Sequence, residues 1–158
     1  MSEISDAIQT KCLAFGDRII KLNDYLLKEA ASKKSEGGSQ KADGRCKTQT
    51  SYFRHQPSSR IPVHLQAIAT LCNQLLRSGT SIGANNAEAT NAVSKTDYRS
   101  KSYIALKEAR ESLYWIELLH RNNYIDDKQY VSIYGDCEEL VKILVARCKK
   151  LDQELGGK

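Results

Sequence analysis

A long helical segment with almost no charge constrains this chain more than any other feature. From Pro62 to Ala87 the only fully charged residue is Arg77. Two heptad lines run through the segment, each stepping by four and then three residues, and such lines form adjacent stripes on one helix. A helix that carries so little charge must be covered by neighbours on more than one side. The sequence therefore predicts a central helix within a helical protein.

The two stripes of this helix differ in character. The first is mostly apolar and is predicted to face the core; it comprises Ile61, Leu65, Ile68, Cys72, Leu75, Gly79, Ile82, Asn86 and Ala89. The second becomes small and polar in its C-terminal half, at Gln74, Ser78, Ser81, Asn85 and Glu88. Buried polar groups need partners, so we expect this polar stripe, with Arg77 beside it, to fix helix register and the subunit interface. Glu88 is expected to pair with Lys107 or Arg110, or with a neighbouring subunit.

Three further segments have helical apolar periodicity. The first starts near Ser5, the third follows a capping box that begins at Ser94, and the fourth follows another that begins at Asp126. Their predicted core positions include Ile8, Phe15, Ile19, Leu26, Ala105, Ala109, Ile116, Leu119, Ile133, Cys137, Leu140 and Leu144. Four helices with short connections between the last three predict an all-α, up-down four-helix bundle. At 158 residues the chain is expected to form a single domain, 1–158.

Residues 32–60 interrupt the helical pattern between the first two helices. The segment is rich in Ser, Gly, Lys, Gln and Thr, so we expect a disordered insertion. From Ala31 to Arg60 there are seven basic and two acidic residues, whereas the rest of the chain has 17 of each. The net charge of +5 is thus a property of this segment. Its basic residues are Lys33, Lys34, Lys41, Arg45, Lys47, Arg54 and Arg60.

Two interpretations of this insertion stay open. Tyr52, Phe53 and His55 stand among its basic residues, and aromatic and basic groups together stack on bases and pair with phosphates. The seven basic residues are therefore the predicted nucleic-acid-binding residues. In the other interpretation the insertion is inert, and its positive charge only keeps it soluble.

The sequence offers little support for catalysis or metal binding. Glu117 and His120 form one Glu-x-x-His motif of the kind found in di-metal bundles, but the fourth helix supplies no second one. The cysteines are odd in number, widely spaced and without a CxxC, which argues against disulfides and zinc; they are Cys12, Cys46, Cys72, Cys137 and Cys148. We expect buried thiols, no catalytic residue, no metal and no cofactor. A di-metal carboxylate enzyme is only the third hypothesis, after a nucleic-acid-binding scaffold and a protein-only scaffold.

The sequence also bears on location and on surface contacts. No apolar run approaches the ~18 residues of a membrane span, and the N-terminus lacks a basic-then-apolar signal. We therefore expect a cytoplasmic protein with no membrane partner. Tyr103, Tyr114 and Trp115 are expected to be subunit contacts rather than platforms for stacked bases.

Three parts of the sequence together are similar to one known family. They read QLLRSGTSIGANNAEA at 74–89, SKTDYRSKSYIALKEARESLYWIELL at 94–119 and EELVKIL at 138–144. The chain resembles the bacterial four helix bundle proteins, also called intervening-sequence proteins because some are encoded within insertions in large-subunit ribosomal RNA genes. The family pattern Q-x-x-R-S-x-x-S-I-x-A-N-x-x-E is matched at Gln74, Arg77, Ser78, Ser81, Ile82, Ala84, Asn85 and Glu88.

This resemblance implies an assembly and a class of partner. Members form homopentameric rings, so a homopentamer is expected here. The accessory variability determinant proteins of diversity-generating retroelements share the fold, bind nucleic acid and partner a reverse transcriptase. The resemblance thus implies RNA or DNA and a reverse transcriptase as partners, or a role linked to ribosomal RNA insertions. The 32–60 insertion and the neutral helical body depart from the accessory proteins, and these departures shift the nucleic-acid interpretation to the insertion.

Overall fold

A computed structural model describes the backbone of residues 3–36 and 63–156 and the side chains of residues 6–32 and 65–156. The regular structure of these residues is four helices: α1 (Glu3–Glu36), α2 (Val63–Thr90), α3 (Lys95–Arg121) and α4 (Asp127–Glu154). This confirms the predicted all-α four-helix bundle, while the pentameric ring stays a prediction. Among the described helices, none is both long and apolar enough to cross a lipid bilayer.

Neighbouring helices run antiparallel. Contacts that join an early residue of one helix to a late residue of another are Gln9–Asn86, Lys101–Glu88 and Arg99–Asp152. Between α1 and α4 the pairs Lys11–Glu139 and Arg18–Asp136 run in opposite directions along the two helices. Helix α2 packs extensively against both α1 and α3, and α3 also packs against α4, whereas α1 and α4 meet less extensively. The chain therefore has the up-down topology that its short second and third connections predict.

The core consists of the positions that the periodicity predicts. On α2 the stripe from Ile68 to Ala89 is buried at every predicted position, and Leu65 is half-buried. The positions named above on the other helices are at most 4% exposed, from Ile8 on α1 to Leu144 on α4. Of the other residues predicted on the same lines, Leu22 and Tyr98 are half-buried, Leu151 is 6% exposed, and Leu155 at the end of α4 is 39% exposed and so was wrongly predicted as core. Because burying a Leu, Ile or Phe side chain contributes roughly 1.5–3 kcal/mol, these stripes are the main source of stability. Ile61 lies outside the described residues.

Side-chain caps begin α3 and α4 where the sequence predicts them. The Ser94 hydroxyl accepts a hydrogen bond from the Asp97 N–H at 3.1 Å, and the Asp97 carboxylate accepts one from the Val93 N–H at 3.2 Å. At α4, the Asp126 side chain accepts from the Gln129 N–H at 2.7 Å, and the Gln129 side chain accepts from the Asp126 N–H at 3.0 Å. These bonds satisfy N–H groups that the helix itself leaves unpaired.

Two helix ends differ from the prediction. Helix α1 continues to Glu36, so residues 32–36, predicted as the beginning of the insertion, are helical. The stretch from Ala30 to Glu36 contains Ala, Lys and Glu, which favour helix even without an apolar face, and Gly37-Gly38 follows in the sequence. Helix α2 ends at Thr90 rather than near Val93. Residues 37–62, most of the predicted insertion, lie outside the described residues.

Two glycines of α2 lie where α1 approaches most closely. A Cβ atom on Gly79 would lie 3.0 Å from Cγ1 of Ile19, and one on Gly83 would lie 3.3 Å from Cβ of Cys12. Ile19 and Cys12 are themselves almost fully buried, so neither side chain has free space to move into. The small residues of α2 therefore set the distance between the first two helices.

Alanine substitutions at two helical glycines are expected to have opposite effects. G79A forces a methyl group against buried Ile19 and should lower the free energy of unfolding by about 1–3 kcal/mol. Gly135 on α4 is exposed, and a Cβ there meets no atom within 4 Å. G135A should therefore raise the free energy of unfolding by about 1 kcal/mol, because Ala favours helix over Gly. Urea unfolding followed by circular dichroism at one protein concentration measures both, and a stabilised G79A would contradict the packing described.

Candidate interaction surfaces

The polar stripe of α2 is partly used inside the subunit. Ser78 is 1% exposed, and its hydroxyl lies 2.9 Å from that of Ser112 on α3. The Ser112 hydroxyl also lies 2.9 Å from the carbonyl oxygen of Glu108. Two buried hydroxyls thus satisfy one another across the α2–α3 contact. This pair joins α2 to α3 within the subunit, and the role of the stripe in setting helix register stays a prediction.

The remainder of the stripe lies nearer the surface. Gln74, Ser81 and Asn85 are half-buried, and the Asn85 amide donates to the Ser81 carbonyl oxygen at 2.8 Å. Arg77 is exposed. Glu88 is exposed and forms an ion pair with Lys101.

Pairing of Glu88 with Lys107 or Arg110 was therefore wrong, while a contact of Glu88 with a neighbouring subunit stays a prediction. Its partner on α3 is Lys101 rather than Lys107 or Arg110. Lys101 occupies the first part of α3, which in an antiparallel pair lies beside the last turn of α2. Lys107 and Arg110 are exposed, one to three turns further along α3. Whether half-buried Gln74, Ser81 and Asn85 contact another subunit stays a prediction.

Asn86 is the buried centre of a hydrogen-bonded group of three polar side chains that the sequence interpretation missed. The residue was assigned to the apolar stripe, and it is indeed 0% exposed. Its amide nitrogen donates to the Gln9 side chain at 2.5 Å, and its amide oxygen accepts from Nη1 of Arg147 at 2.6 Å. The available signal was one amide on an otherwise apolar line, which required a polar partner from another helix.

The aromatic residues predicted as subunit contacts have different roles. The Tyr103 hydroxyl donates to Asp152 at 2.6 Å, so this residue joins α3 to α4 within one subunit. Tyr114 is 56% exposed, and its ring meets that of Trp115 edge-on at 4.9 Å. The Trp115 indole N–H donates to Glu111 at 3.0 Å. Of these three aromatic residues, Tyr114 and Trp115 remain available for contact with another subunit. That contact stays a prediction.

Hydrogen bonds at the α3–α4 contact shift the pKa of two carboxyl groups. The Tyr103 hydroxyl and then Arg99 hold the pKa of Asp152 below its usual value. The Tyr130 hydroxyl and then Arg121 likewise lower the pKa of Glu117. Both carboxylates accept hydrogen bonds that favour the charged form.

Glu117 and His120, the one Glu-x-x-His motif considered for a di-metal site, are engaged in contacts with other side chains. Glu117 accepts hydrogen bonds from Tyr130 and Arg121, each at 2.7 Å. His120 is half-buried, lies 2.7 Å from the Asp127 carboxylate and stacks on the Tyr130 ring at 4.1 Å. Within the described part of the chain, no three or more His, Cys, Asp or Glu residues are grouped to hold a metal ion.

The cysteines that the structure describes are buried free thiols, as predicted. Burial raises the pKa of the Cys12 and Cys72 thiols to about 11 and that of Cys137 to about 12. Such thiols are protonated near neutral pH and act as small apolar side chains. Cys46 lies outside the described residues.

Seven positive side chains of the helical body form ion pairs with acidic partners among the described residues. The ion pairs are Lys11–Glu139, Arg18–Asp136, Lys95–Glu154, Arg99–Asp152, Lys101–Glu88, Arg121–Glu117 and Lys142–Glu138. Pairs of this kind cancel much of the long-range field of the body. Of the predicted nucleic-acid-binding residues, Lys33 and Lys34 lie in the last turns of α1. The other five, Lys41, Arg45, Lys47, Arg54 and Arg60, lie outside the described residues.

An exposed apolar line runs along α1. Leu13 is 61% exposed and Ile20 is 45% exposed, seven residues apart on the same face of the helix. Leu27, another seven residues on, is half-buried. Large apolar side chains in such a line are typical of a helix that contacts another protein surface.

The comparisons with known proteins identify the family. A sequence profile described as "23S rRNA-intervening sequence protein" matches residues 62–146, more than half of the chain. The chain belongs to this family. It is similar to the crystal structure of a protein of unknown function of the S23 ribosomal protein family from Bacteroides thetaiotaomicron, at 34% identity and a TM-score of 0.67. That alignment covers 92% of this chain and 98% of the other. No curated protein matches the sequence.

The profile of the 23S rRNA-intervening sequence protein family covers α2, α3 and most of α4. It includes the whole polar stripe and begins at residue 62, after the insertion. The residues by which the family is recognised are therefore those that build the helix contacts described above.

Removing the Tyr103 hydroxyl is expected to raise the pKa of Asp152. Its hydrogen bond is the larger cause of the lowered pKa, so Y103F should move that pKa toward the usual ~3.9. Because the folded pKa lies below the unfolded one, this bond stabilises the fold above about pH 4 and is lost as pH falls through the folded pKa. An NMR titration of the Asp152 carboxyl carbon measures the shift. Y114F, which alters an exposed ring, is the control; an unchanged Asp152 pKa in Y103F would refute the assignment.

Proposed function

We propose that this protein is a non-enzymatic, homo-oligomeric helical scaffold that binds RNA or DNA through the basic segment between α1 and α2. The observation that supports this proposal is that the excess positive charge of the chain lies in one segment of the sequence. The segment from Ala31 to Arg60 has seven basic and two acidic residues, and the rest of the chain is neutral. Binding to phosphates depends on Lys and Arg residues that are not balanced by nearby acidic residues.

The helical body supports the scaffold part of the proposal. Its most recognisable polar residues are used for packing, as the Ser78–Ser112 contact illustrates. The exposed line of Leu13 and Ile20 on α1 offers an apolar contact for a second copy. We propose that five copies assemble into a ring, as the similarity to pentameric family members suggests.

We propose two alternative cytoplasmic settings for this scaffold, one suggested by the family description and one by the resemblance to retroelement accessory proteins. In one, the protein acts in the biology of insertions within 23S ribosomal RNA. In the other, it is an accessory to a reverse transcriptase of a diversity-generating retroelement. Gene position distinguishes them: a location inside a ribosomal RNA gene supports the first, and a neighbouring reverse transcriptase with a variable repeat supports the second.

Neutralising the basic segment is expected to weaken nucleic-acid binding and its dependence on salt. Five residues of the sequence between α1 and α2 are changed to Gln: Lys41, Arg45, Lys47, Arg54 and Arg60. Binding of a structured RNA and of duplex DNA is measured by fluorescence anisotropy across a salt series. Each phosphate contact contributes a slope of about 0.9 in log K against log salt on duplex DNA, so the variant should lose up to about four units of slope.

A matched control removes the same amount of charge from the helical body. It changes five exposed lysines to Gln: Lys21, Lys28, Lys128, Lys142 and Lys149. This control should bind nearly as well as the wild type. Equal losses in both variants would show that only net charge matters, and the absence of salt-dependent binding by the wild type would refute the nucleic-acid role.

Charged substitutions on the exposed apolar line of α1 are expected to break the assembly. L13D/I20D places two carboxylates where the proposed interface buries leucine and isoleucine, a strongly unfavourable change. Sedimentation velocity should show a pentamer for the wild type and smaller species for the variant, with unchanged helical circular dichroism because both side chains are exposed within one subunit. V131D, at a 69% exposed position on α4, is the control. A monomeric wild type would contradict the ring.

A scaffold that contacts only proteins is the second candidate function. The exposed Leu13, Ile20 and Tyr114 side chains favour it, since apolar and aromatic surface is typical of protein interfaces. The salt series separates the candidates, because the protein-only scaffold predicts no affinity for nucleic acid at any salt concentration.

A further inference from the structure

A cavity of about 830 Å³ lies at the end of the bundle where α2 leads into α3. All four helices contribute to its walls, and much of the lining is apolar: Ile8, Ala89, Tyr98, Ile143, Ala146 and Leu151. Sites for small organic molecules in proteins have volumes of roughly 300–1,000 Å³ and mostly apolar walls with a few polar groups. This cavity has both properties.

Arg147 supplies a fixed positive charge to this cavity. Its Nη1 atom donates to the side-chain oxygen of Asn86 at 2.6 Å, and its guanidinium lies 5.5 Å from the centroid of the Tyr98 ring. Asn86 is held in turn by its hydrogen bond to Gln9. The guanidinium is therefore oriented before any ligand arrives, which lowers the entropic cost of binding.

The hydrogen bonds of Arg147 are incomplete. Its Nη2 atom is buried and has no hydrogen-bond partner among the described residues. No described carboxylate forms an ion pair with this side chain, although arginine remains charged at any ordinary pH. An unpaired buried donor on a charged group costs more than one on a neutral group. The positive charge of this side chain is also unmatched, and an anion in the cavity that Arg147 lines would stabilise it.

The surroundings leave the cavity with net positive charge. Lys150, one turn along α4 from Arg147, also lines it and has no ion-pair partner in the described part of the chain. The other lysine of the lining, Lys95, lies 3.4 Å from Glu154, so these two charges offset one another. The positive charges of Arg147 and Lys150 therefore lie beside the apolar wall without a negatively charged partner in the described part of the chain.

We propose that this cavity binds a small amphiphilic anion. The acidic head group, a carboxylate or its equivalent, pairs with Arg147 and Lys150, and the apolar part covers Ile8, Ile143 and Leu151. A carboxylate suits this position because its negative charge is attracted by both the guanidinium of Arg147 and the ammonium of Lys150. The apolar walls favour such a ligand over a nucleic-acid backbone, whose repeated phosphates would leave those walls uncovered. This site is separate from the proposed nucleic-acid role, and neither depends on the other.

Calorimetric titration with two matched probes tests the proposal. Decanoate, kept below its micelle-forming concentration, carries both a carboxylate and an apolar chain; decan-1-ol carries the chain without the charge. The full chain should bind one decanoate per subunit and bind decan-1-ol more weakly. R147M keeps most of the length of the side chain and removes the guanidinium, so it should weaken decanoate about tenfold or more and change decan-1-ol less than about twofold.

Two further variants control for position and for folding. K149M removes the positive charge next to Lys150 in the sequence. Lys149 is exposed and does not line the cavity, so this variant should bind decanoate as the wild type does. A146W fills the cavity from an exposed position of α4 without altering Arg147, and should abolish binding of both probes. It keeps the proposal testable if R147M fails to fold, as judged from thermal unfolding.

Three results would overturn the proposal. They are no decanoate binding by the wild type, equal decanoate binding by wild type and R147M, and decanoate binding that persists in A146W. Loss of decanoate binding in R147M and A146W, with K149M unaffected, would establish the site. None of these results bears on the binding of RNA or DNA, so the two proposals stand or fall separately.

Discussion

The double packing of α2 is the constraint on which the rest of the bundle depends. On one side its glycines allow α1 to come so close that Ile19 and Cys12 occupy the space a Cβ would need. On the other side Ser78 meets Ser112 of α3. Any larger residue at these contacts would move a neighbouring helix, and α4 would move too, because its most extensive contacts are with α3. The low charge of α2 follows from being covered on both sides.

Periodicity and capping chemistry were enough to predict most of this architecture. The heptad spacing of Ile68 and Ile82 places them on one face of α2, and the apolar character of that face predicts that it is buried. Ser94 and Asp126 mark helix starts because their side chains satisfy backbone groups within three residues of themselves. Local information decides these features. The end of α1 was misplaced because its last turns are stabilised by helix propensity and have no apolar face to detect.

Partners across the bundle were harder to predict. Glu88 pairs with Lys101 because the two residues lie at the same level along the antiparallel α2–α3 pair. That alignment depends on the turn between the helices rather than on either residue. The hydrogen bonds from Asn86 to Gln9 and from Arg147 to Asn86 join three helices, and no residue spacing within one helix predicts them. An amide on an apolar line indicates that a partner exists, but the packed structure is needed to say which one. The cavity beside Arg147 is for the same reason a property of the assembled bundle.

The family signature and the proposed function involve different parts of the chain. The 23S rRNA-intervening sequence protein profile matches residues 62–146, where side chains serve mainly to hold helices together. The surplus positive charge lies in residues that the profile does not cover. A framework of this kind accepts a change in its connecting segment at little energetic cost, since closing a longer loop costs only about 0.6 kcal/mol for each doubling of its length.

The antiparallel arrangement of α1 and α2 has a geometric consequence for that segment. Helix α1 ends, and α2 begins, at the same end of the bundle, opposite to the turn between α2 and α3. In any ring built by rotation about one axis, the equivalent ends of all subunits face the same way. The helix ends to which the connecting segments are joined would then all lie on one face of the ring, and a polymer bound at one subunit would meet the others at a high effective concentration. Weak individual contacts would add up to avidity, so a modest charge per chain would suffice for tight binding of a long strand.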